Sequence, residues 1–464
     1  MDPAPPRIVF VTGRLAESAL RRTLAEMGPS CRFQAEIVVL PISVAALLTT
    51  DWIARHWQPP ADAQRIILPG LVRGDLDRIA HPHVERGPAD LRDLPEYLSG
   101  KPSARVDTES YDIEIIAEIN HASQLGIEEL LSQARQLREQ GADVIDLGCD
   151  PGGPWSGVGD AVRALRAEGY RVSIDSFDPA EVREALAAGA ELVLSVNTSN
   201  LELAREWAEQ WNAEVVAIPD APQDMDSLHR TIECLSRHKI RFRIDPILEP
   251  IGMGFAASLG RYLDARRRYP ETDFMMGVGN LTELTDADSA GINVLLLGFC
   301  QELGIRSVLT TEVANWCRTC VRELDLARRL VHFSIRHRLP PKRLDPNLIL
   351  LRDPKVRPLS HSALRELADS LTDPNYRIFI SHDELHIMNR SIFVSGTDPF
   401  ALFRQVCETD SRMTPSHAFY LGYEMAKAIT ALTLGKEYRQ DQPLRWGFLT
   451  RPENSHPPGS QSDG

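Results

Sequence analysis

The sequence predicts an α/β protein built on a (β/α)8 TIM barrel, with a small parallel α/β domain before it and a small α+β domain after it. Three observations carry this expectation. Between residues 110 and 335, short apolar strands alternate eight times with amphipathic helices. The series takes about 225 residues, near the ~250 usual for such a barrel. The chain has 464 residues, 43% hydrophobic and 25% charged, enough to bury a full core in each of two or three domains.

Residues 1–105 form the first predicted domain. Ile8 to Val11 reads as a buried strand, Thr12-Gly13 as a turn, and Leu15 to Met27 as a helix. A strand at 37–40, a helix over 44–56 and a strand at 66–68 follow, and the alternation predicts a parallel layer. Residues 71–110, rich in Asp, Arg, Pro and His, predict irregular structure and a linker.

The barrel is expected over 110–335. Its strands are predicted at 113–119, 144–147, 171–175, 191–196, 214–218, 240–245, 273–277 and 306–310. The first helix carries Ile127, Leu130, Leu131, Ala134 and Leu137 on one face and stops at Gly141. Later helices are predicted at 158–168, 179–188, 200–212, 225–238, 256–269, 286–303 and 316–333. The unit at 179–188 is marked in detail: Asp178 can cap, Pro179 suits the first helical position, and Gly189 ends the helix. An open doubly wound sheet is the rival, and eight regular units favour the barrel.

After Leu339-Pro340-Pro341, residues 340–451 carry three short antiparallel strands (378–380, 385–388, 392–394) and helices at 399–407 and 415–434. Residues 452–464, rich in Pro, Ser, Gly and Asp, predict a disordered tail.

A net charge of −14 argues against nucleic acid, whose phosphates need a positive field. Seven scattered cysteines fit a reduced, cytoplasmic chain. The sequence has no apolar run of 18 residues, so no membrane partner is expected. Its first residues lack the charged and apolar regions of a signal peptide. Cys317-x-x-Cys320 lacks the second half of a zinc site and is expected to pack; His81-x-His83 reads as surface loop, and His382 to His386 as a turn between strands. No metal ligands are assigned and no tightly bound cofactor is expected.

A barrel of this kind keeps its active site at the C-terminal ends of its strands. That rule selects Glu118, Asn120 and His121; Asp146 and the loop 148–154 with Gly152 and Gly153; Asp175-Ser176; Asn197 to Ser199; Asp220; Asp245; Gly277, Gly279 and Asn280; and Thr310 to Glu312. Acidic and amide groups dominate. They suit a heterocycle rich in N–H donors, because one carboxylate can accept two hydrogen bonds from a guanidine-like edge. A single Asp at a strand end more often caps a helix or serves loop amides; several on one face shift the balance. Asn197, Thr198 and Ser199 also read as a cap for helix 200–212.

The motifs Ile115-Ile116-Ala117-Glu118-Ile119-Asn120, Gly141 to Gly148, Val172 to Ser176, Ile244-Asp245-Pro246 with Gly252-Met253-Gly254-Phe255, and Gly277-Val278-Gly279-Asn280 run in order at strand spacing. Over about half the chain they resemble the pterin-binding superfamily of dihydropteroate synthases and methyltetrahydrofolate:corrinoid methyltransferases. The resemblance implies Asn120 and Asn280 as the catalytic candidates near the reacting end of the substrate. It implies Asp175 and Asp245 as the carboxylates that hold the pterin ring. With Asn197, Asp146, Gly152, Gly153 and Gly277 they form the expected substrate-binding set. Asn293 also fits the methyltransferase pattern.

The layout with two extra domains, including Val11 to Ala16 and Leu434 to Asp441, is similar to dihydropteroate-synthase-like proteins linked to tetrahydromethanopterin biosynthesis. The implied activity is condensation of an activated dihydropterin with an arylamine, with Mg2+ as the ion such chemistry would call on. Homodimers are common in the superfamily. The motifs depart from the synthases where these carry an Arg-Lys pair after strand seven and an Arg and a His after strand eight; here stand Gly279-Asn280 and Thr310-Thr311-Glu312. That weighs against orthodox synthesis. It keeps two alternatives: methyl transfer to a corrinoid partner protein, and a non-catalytic pterin-binding or scaffold role.

Overall fold

The computed structural model describes residues 5–27, 33–88, 91–99, 109–150, 154–342, 344–354, 356, 358–381, 383–410 and 413–453. It divides the chain into two compact units, 1–107 and 108–464.

The first unit contains β1 (Arg7–Gly13), α1 (Glu17–Glu26), β2 (Gln34–Leu40), α2 (Thr50–His56), β3 (Arg65–Leu68), β4 (Val84–Arg86) and α3 (Leu94–Ser99). Its sheet is parallel in the order β2-β1-β3-β4. Val9, Val11, Ile66 and Leu68 bury one face against Leu48 and Ile53, while Ile8, Phe10 and Ile67 bury the other against Leu20 and Leu94. The irregular reading of 71–110 is corrected here. Val84-Glu85-Arg86 adds a fourth strand, and Leu94 seats α3. Three polar-flanked residues carry no readable alternation; they are held by the Arg65–Glu85 ion pair (2.6 Å) and by Tyr97, whose hydroxyl donates to Glu85 at 2.8 Å. The helix expected over 44–56 is split. Leu48 buries in extended conformation, and Thr49 caps α2 by accepting from Trp52 N at 3.3 Å.

The second unit opens with the barrel: β5 (Glu114–Ile119), α4 (Ile127–Gln140), β6 (Val144–Gly148), α5 (Val158–Ala167), β7 (Arg171–Asp175), α6 (Pro179–Ala188), β8 (Leu192–Val196), α7 (Leu201–Trp211), β9 (Glu214–Ala217), α8 (Met225–Arg237), β10 (Phe242–Ile244), α9 (Phe255–Arg268), β11 (Asp273–Gly277), α10 (Gly279–Thr282), α11 (Ser289–Leu303), β12 (Ser307–Thr310) and α12 (Cys320–His337). Each strand pairs in parallel with the next, and β12 closes on β5 through Ser307↔Glu114 to Thr310↔Ala117. The (β/α)8 barrel is present with all eight strands at their predicted places. The predicted cap of α6 also forms: Asp178 accepts from Ala180 N at 2.7 Å, and Gly189 ends the helix at φ 110°.

Alternation sorts the strand side chains. Ile115, Ala117, Ile145, Leu147, Val172 and Ile174 face the helices, against Leu130, Ala134, Val162 and Leu165. The other set fills the barrel in layers. At the bottom, Arg243 pairs with Glu114 (2.5 Å) and Glu214 (2.8 Å), and Arg171 pairs with Glu114. Above lies an apolar plug of Ile116, Val144, Leu192, Leu194, Val216 and Met275. The next inward positions toward the C-terminal ends are Glu118, Asp146, Asp175, Asp245 and Gly277. The plug makes a floor, and the polar groups sit on it.

The remainder of this unit holds α13 (His361–Ser370), β13 (Arg377–Ser381), β14 (Glu384–Asn389), β15 (Ile392–Gly396), α14 (Pro399–Thr409) and α15 (Pro415–Leu434). Its three strands form an antiparallel meander over a core of their own, with Ile378, Leu385, Ile387, Leu402 and Met425. The sequence reading lacked α13, which Ser360 caps by accepting from Ala363 N at 3.2 Å. The tail expected to be disordered lies outside the described residues from 454 onward. Among the described residues no helix is long and apolar enough to cross a membrane.

Candidate functional site

On β5, alternation turns Glu118 and Asn120 inward and sends Ile119 into the helix-facing core. Glu118 stands opposite Asp146 in the β5–β6 ladder, and Gly148 stands opposite Asp175 in the β6–β7 ladder. The Glu118 side chain lies across Gly148: a Cβ there would meet Glu118 Oε1 at 2.3 Å. The missing side chain at 148 opens the way from Glu118 toward Asp175. Asp146 is fully buried beside them. Its Oδ1 accepts from Ser173 Oγ at 2.6 Å, and its Oδ2 has no hydrogen-bond partner.

Three carboxylates gathered in one corner, Asp146 fully and the other two partly buried, resist ionisation. Burial, reinforced by the charge of Asp175, raises Glu118 to about 7. Burial raises Asp175 to about 6 and holds Asp146, which also feels both neighbours, well above the ordinary carboxylate range. Glu118 and Asn120 line a cleft of about 460 Å³ together with His121, Gln133, Thr311 and Glu312. Thr311 Oγ1 donates to Asn120 Oδ1, tying the strand-one amide to the end of strand eight.

The second group stands on β10 and β11. Asp245 Oδ1 accepts from Ile247 N at 2.8 Å and from the buried Tyr262 hydroxyl at 2.5 Å. A Cβ at Gly277 would lie 3.9 Å from Asp245 Oδ2 and 3.5 Å from Asn280 Nδ2, so all three groups border one small space. Asn280 Nδ2 also donates to Leu248 O at 3.1 Å. Burial lifts Asp245 to about 6, against the opposing pull of Tyr262 and the backbone donors.

Six of the expected residues therefore fall into these two groups at one end of one barrel: Asp146 and Asp175 in the first, Asp245, Gly277 and Asn280 in the second, and Asn120 beside Glu118. Asn197 is engaged elsewhere. Its Oδ1 accepts from Ser199 N (2.9 Å) and Ser199 Oγ (2.6 Å), which shapes the turn into α7. Gly152 and Gly153 lie outside the described residues. Asn293 is buried between α11 and α12, donating to Glu323 Oε2 at 2.9 Å, so the methyltransferase-like placement corresponds here to a helix-packing contact. Glu312 serves the start of α12 by accepting from Val321 N at 3.0 Å.

Tyr262 joins the constellation without having been weighted in the sequence, and Glu118, selected there as a strand-end residue, joins it without having been given a role. Tyr262 had one signal: it shares a buried helical face with Ser258 and Ala265 in an otherwise basic helix. Asp150 staples the loops after β5 and β6 by accepting from Ser123 Oγ (2.5 Å) and Gln124 Nε2 (3.2 Å), and by contacting His121. These bonds, that from Ser123 foremost, hold its carboxyl at about 2. Apolar side chains crown the loops after the strands: Phe177, Ile251, Met253, Leu284 and Val313 are all more than half exposed. Among the described residues, no three His, Cys, Asp or Glu side chains come together as metal ligands.

Residues 119–242, from the end of β5 to the start of β10, match the family model for pterin binding enzymes. In this span the barrel is similar to pterin binding enzymes. The matched span holds Asn120, Asp146 and Asp175, and stops short of Asp245. Residues 6–89 match a model described as a family of unknown function, DUF6513, and residues 371–441 one described as PterinBD-DUF4346. An uncharacterized protein of Methanocaldococcus jannaschii is 25% identical, over 94% of this chain and 99% of its own. Similar solved structures include a dihydropteroate synthase of Clostridium difficile with pteroic acid (17% identity, 49% of this chain, 99% of that one, TM-score 0.38). Another is a Yersinia pestis dihydropteroate synthase with a pterin–sulfa conjugate (18% identity, 50% and 95%, TM-score 0.38).

Proposed function

We propose that this protein is a dihydropteroate-synthase-like transferase that binds a reduced pterin in the barrel mouth. It would join the activated methylene carbon of the pterin to an arylamine, for a methanopterin- or folate-type coenzyme. The observation that carries the reading is the pair of inward carboxylates, half-buried Asp175 and buried Asp245, standing on the apolar floor of a barrel whose residues 119–242 match the pterin-binding family. Each accepts N–H groups from the ring, and together they fix its plane. The arylamine nitrogen then attacks the methylene carbon as its C–O bond to pyrophosphate breaks. Asn120, the residue after β5, would donate to the departing oxygen. Mg2+ assistance belongs to this proposal as an added variable of the assay.

The test is direct. The protein is incubated with dihydropterin-methyl pyrophosphate and 4-aminobenzoate, or an arylamine bearing a longer polyol chain, with and without Mg2+. Pyrophosphate release coupled to C–N bond formation is expected. A clean pterin isotherm without release would reject the synthase step and keep the pterin site.

A second reading has its own observations: Asn280 beside Asp245, and the apolar crown of Phe177, Ile251, Met253, Leu284 and Val313. Methyl transfer from a methylated pterin to a corrinoid protein needs a hydrogen bond at the pterin nitrogen. It also needs a docking rim, and exposed apolar clusters mark such surfaces. Methyl exchange with an added corrinoid protein, absent with free pyrophosphate ester, would select it.

A further inference from the structure

Glu118 does not belong to the pair that the proposed function uses, yet it reaches the same corner. It crosses from β5 over Gly148 of β6 toward Asp175 of β7, and it lines the open cleft. Opposite it on β6, fully buried Asp146 has an Oδ2 with no partner. A buried carboxylate oxygen left unpaired beside two other carboxylates is costly unless a proton or a donor fills the gap. We propose that Glu118, Asp146 and Asp175 form one proton-holding unit that recognises an N–H-bearing ring edge by releasing a proton when that edge arrives.

This rests on the pterin reading of the mouth and deepens it, by making Glu118 a third recognition group and binding a proton-linked step. In the free protein a proton lies among the three carboxyls and satisfies the orphaned oxygen. An incoming N–H edge supplies that hydrogen bond itself, and the displaced proton goes to solvent. The ligand therefore binds the ionised unit, and affinity rises with pH until the unit is ionised without help. The charged groups facing Glu118 are Asp146, Asp175, His121 and Glu283, three of them acidic. Burial first, then Asp175, keeps Glu118 protonated up to about 7; Glu283 adds in the same direction and His121 opposes it. A one-proton linkage changes affinity by at most roughly tenfold per pH unit.

The experiment uses the full chain and 6-hydroxymethyl-7,8-dihydropterin. Calorimetric titrations are run at pH 6.0, 7.0 and 8.0, each in two buffers of different ionisation enthalpy. Wild type is expected to release close to one proton at pH 6.0 and little at pH 8.0, with affinity rising severalfold between them. Glu118→Gln should still bind, with most of the release and most of the pH dependence gone. Equal proton release from wild type and Glu118→Gln would overturn the proposal, as would binding without proton exchange. A ligand-free measurement separates this from failure of the pterin reading. The infrared C=O band of a protonated carboxyl should be present in wild type at pH 6.5 and diminished in Glu118→Gln. Its absence from wild type overturns the proton-holding unit whatever binds. Its presence in a protein that binds no pterin overturns the recognition step and the pterin reading together.

Discussion

Buried acids at a barrel mouth are held at the expense of stability, and the sign follows from their titration. Asp175 and Glu118 hold protons in the folded state up to about 6 and about 7, whereas an unfolded chain releases them near ~4. Between those limits the folded form binds more protons, so stability falls as pH rises through that window. Glu118→Gln and Asp175→Asn are therefore expected to melt higher than wild type at pH 7.5 and equally at pH 4. Thermal scans at both values check this, and an equal gain at both would contradict it. Tyr262→Phe acts on the other carboxyl. It removes a hydroxyl that stabilises ionised Asp245, so the Asp245 carboxyl should hold its proton to higher pH. Pterin affinity should drop by about 1–3 kcal/mol near pH 6, the worth of a hydrogen bond to a charged group, and less at pH 8. A pH-independent loss would mean that Tyr262 serves packing alone. Asp175 and Asp245 were legible from sequence because each ends a recognisable strand. Glu118 was selected as a strand-end residue but given no role, because its reach depends on the register that sets Gly148 beside Asp175. Asn197 read both as a site residue and as part of a cap for helix 200–212, and the local bonds to Ser199 show it shaping that turn.

At the scale of elements, one residue locks the barrel. Arg328 on α12 is 1% exposed. It donates to Ile113 O (2.8 Å) and Gly141 O (3.0 Å), pairs with Asp143 (2.5 Å) and Asp325 (2.8 Å), and stacks on Tyr111 with its guanidinium 3.6 Å from the ring centroid. The last helix is thus bound to the first βα unit. Removing one member of a buried ion pair costs ~3–5 kcal/mol, because the partner charges remain buried. Arg328→Ala should lower the unfolding free energy of the second unit by that order, with a lower urea midpoint. Urea titration followed by tryptophan fluorescence measures it, and a loss below ~1 kcal/mol would show that helix packing alone closes the barrel. This contact spans about 215 residues in sequence and carries no local signal. The strands themselves were legible, because parallel strands buried on both faces read as continuous apolar runs between helical periods. What escaped were β4 and α13, elements too short or too polar to show a period, and the break at Leu48 inside an apparently continuous helix.

For the whole molecule, the two compact units each own a hydrophobic core. Residues 1–107 bury Val9, Val11, Leu40, Leu48, Ile53, Ile66 and Leu68 among themselves, enough for a parallel layer of this size to fold independently. The two groups of site residues and their supports, Ser173, Tyr262, Thr311 and Arg328, all come from residues 108–464. The Methanocaldococcus jannaschii relative aligns over 94% of this chain and 99% of its own, so the alignment takes in both units. These facts put the residues of the proposed pterin site in the second unit. Residues 108–464 produced alone are expected to bind 6-hydroxymethyl-7,8-dihydropterin with the affinity of the full chain, and residues 1–107 to melt cooperatively by circular dichroism. If the shortened protein folds but loses the pterin, the first unit completes the site. In that case the carboxylates on the barrel floor are necessary and not sufficient, and the missing contact has to be sought among the residues of 1–107.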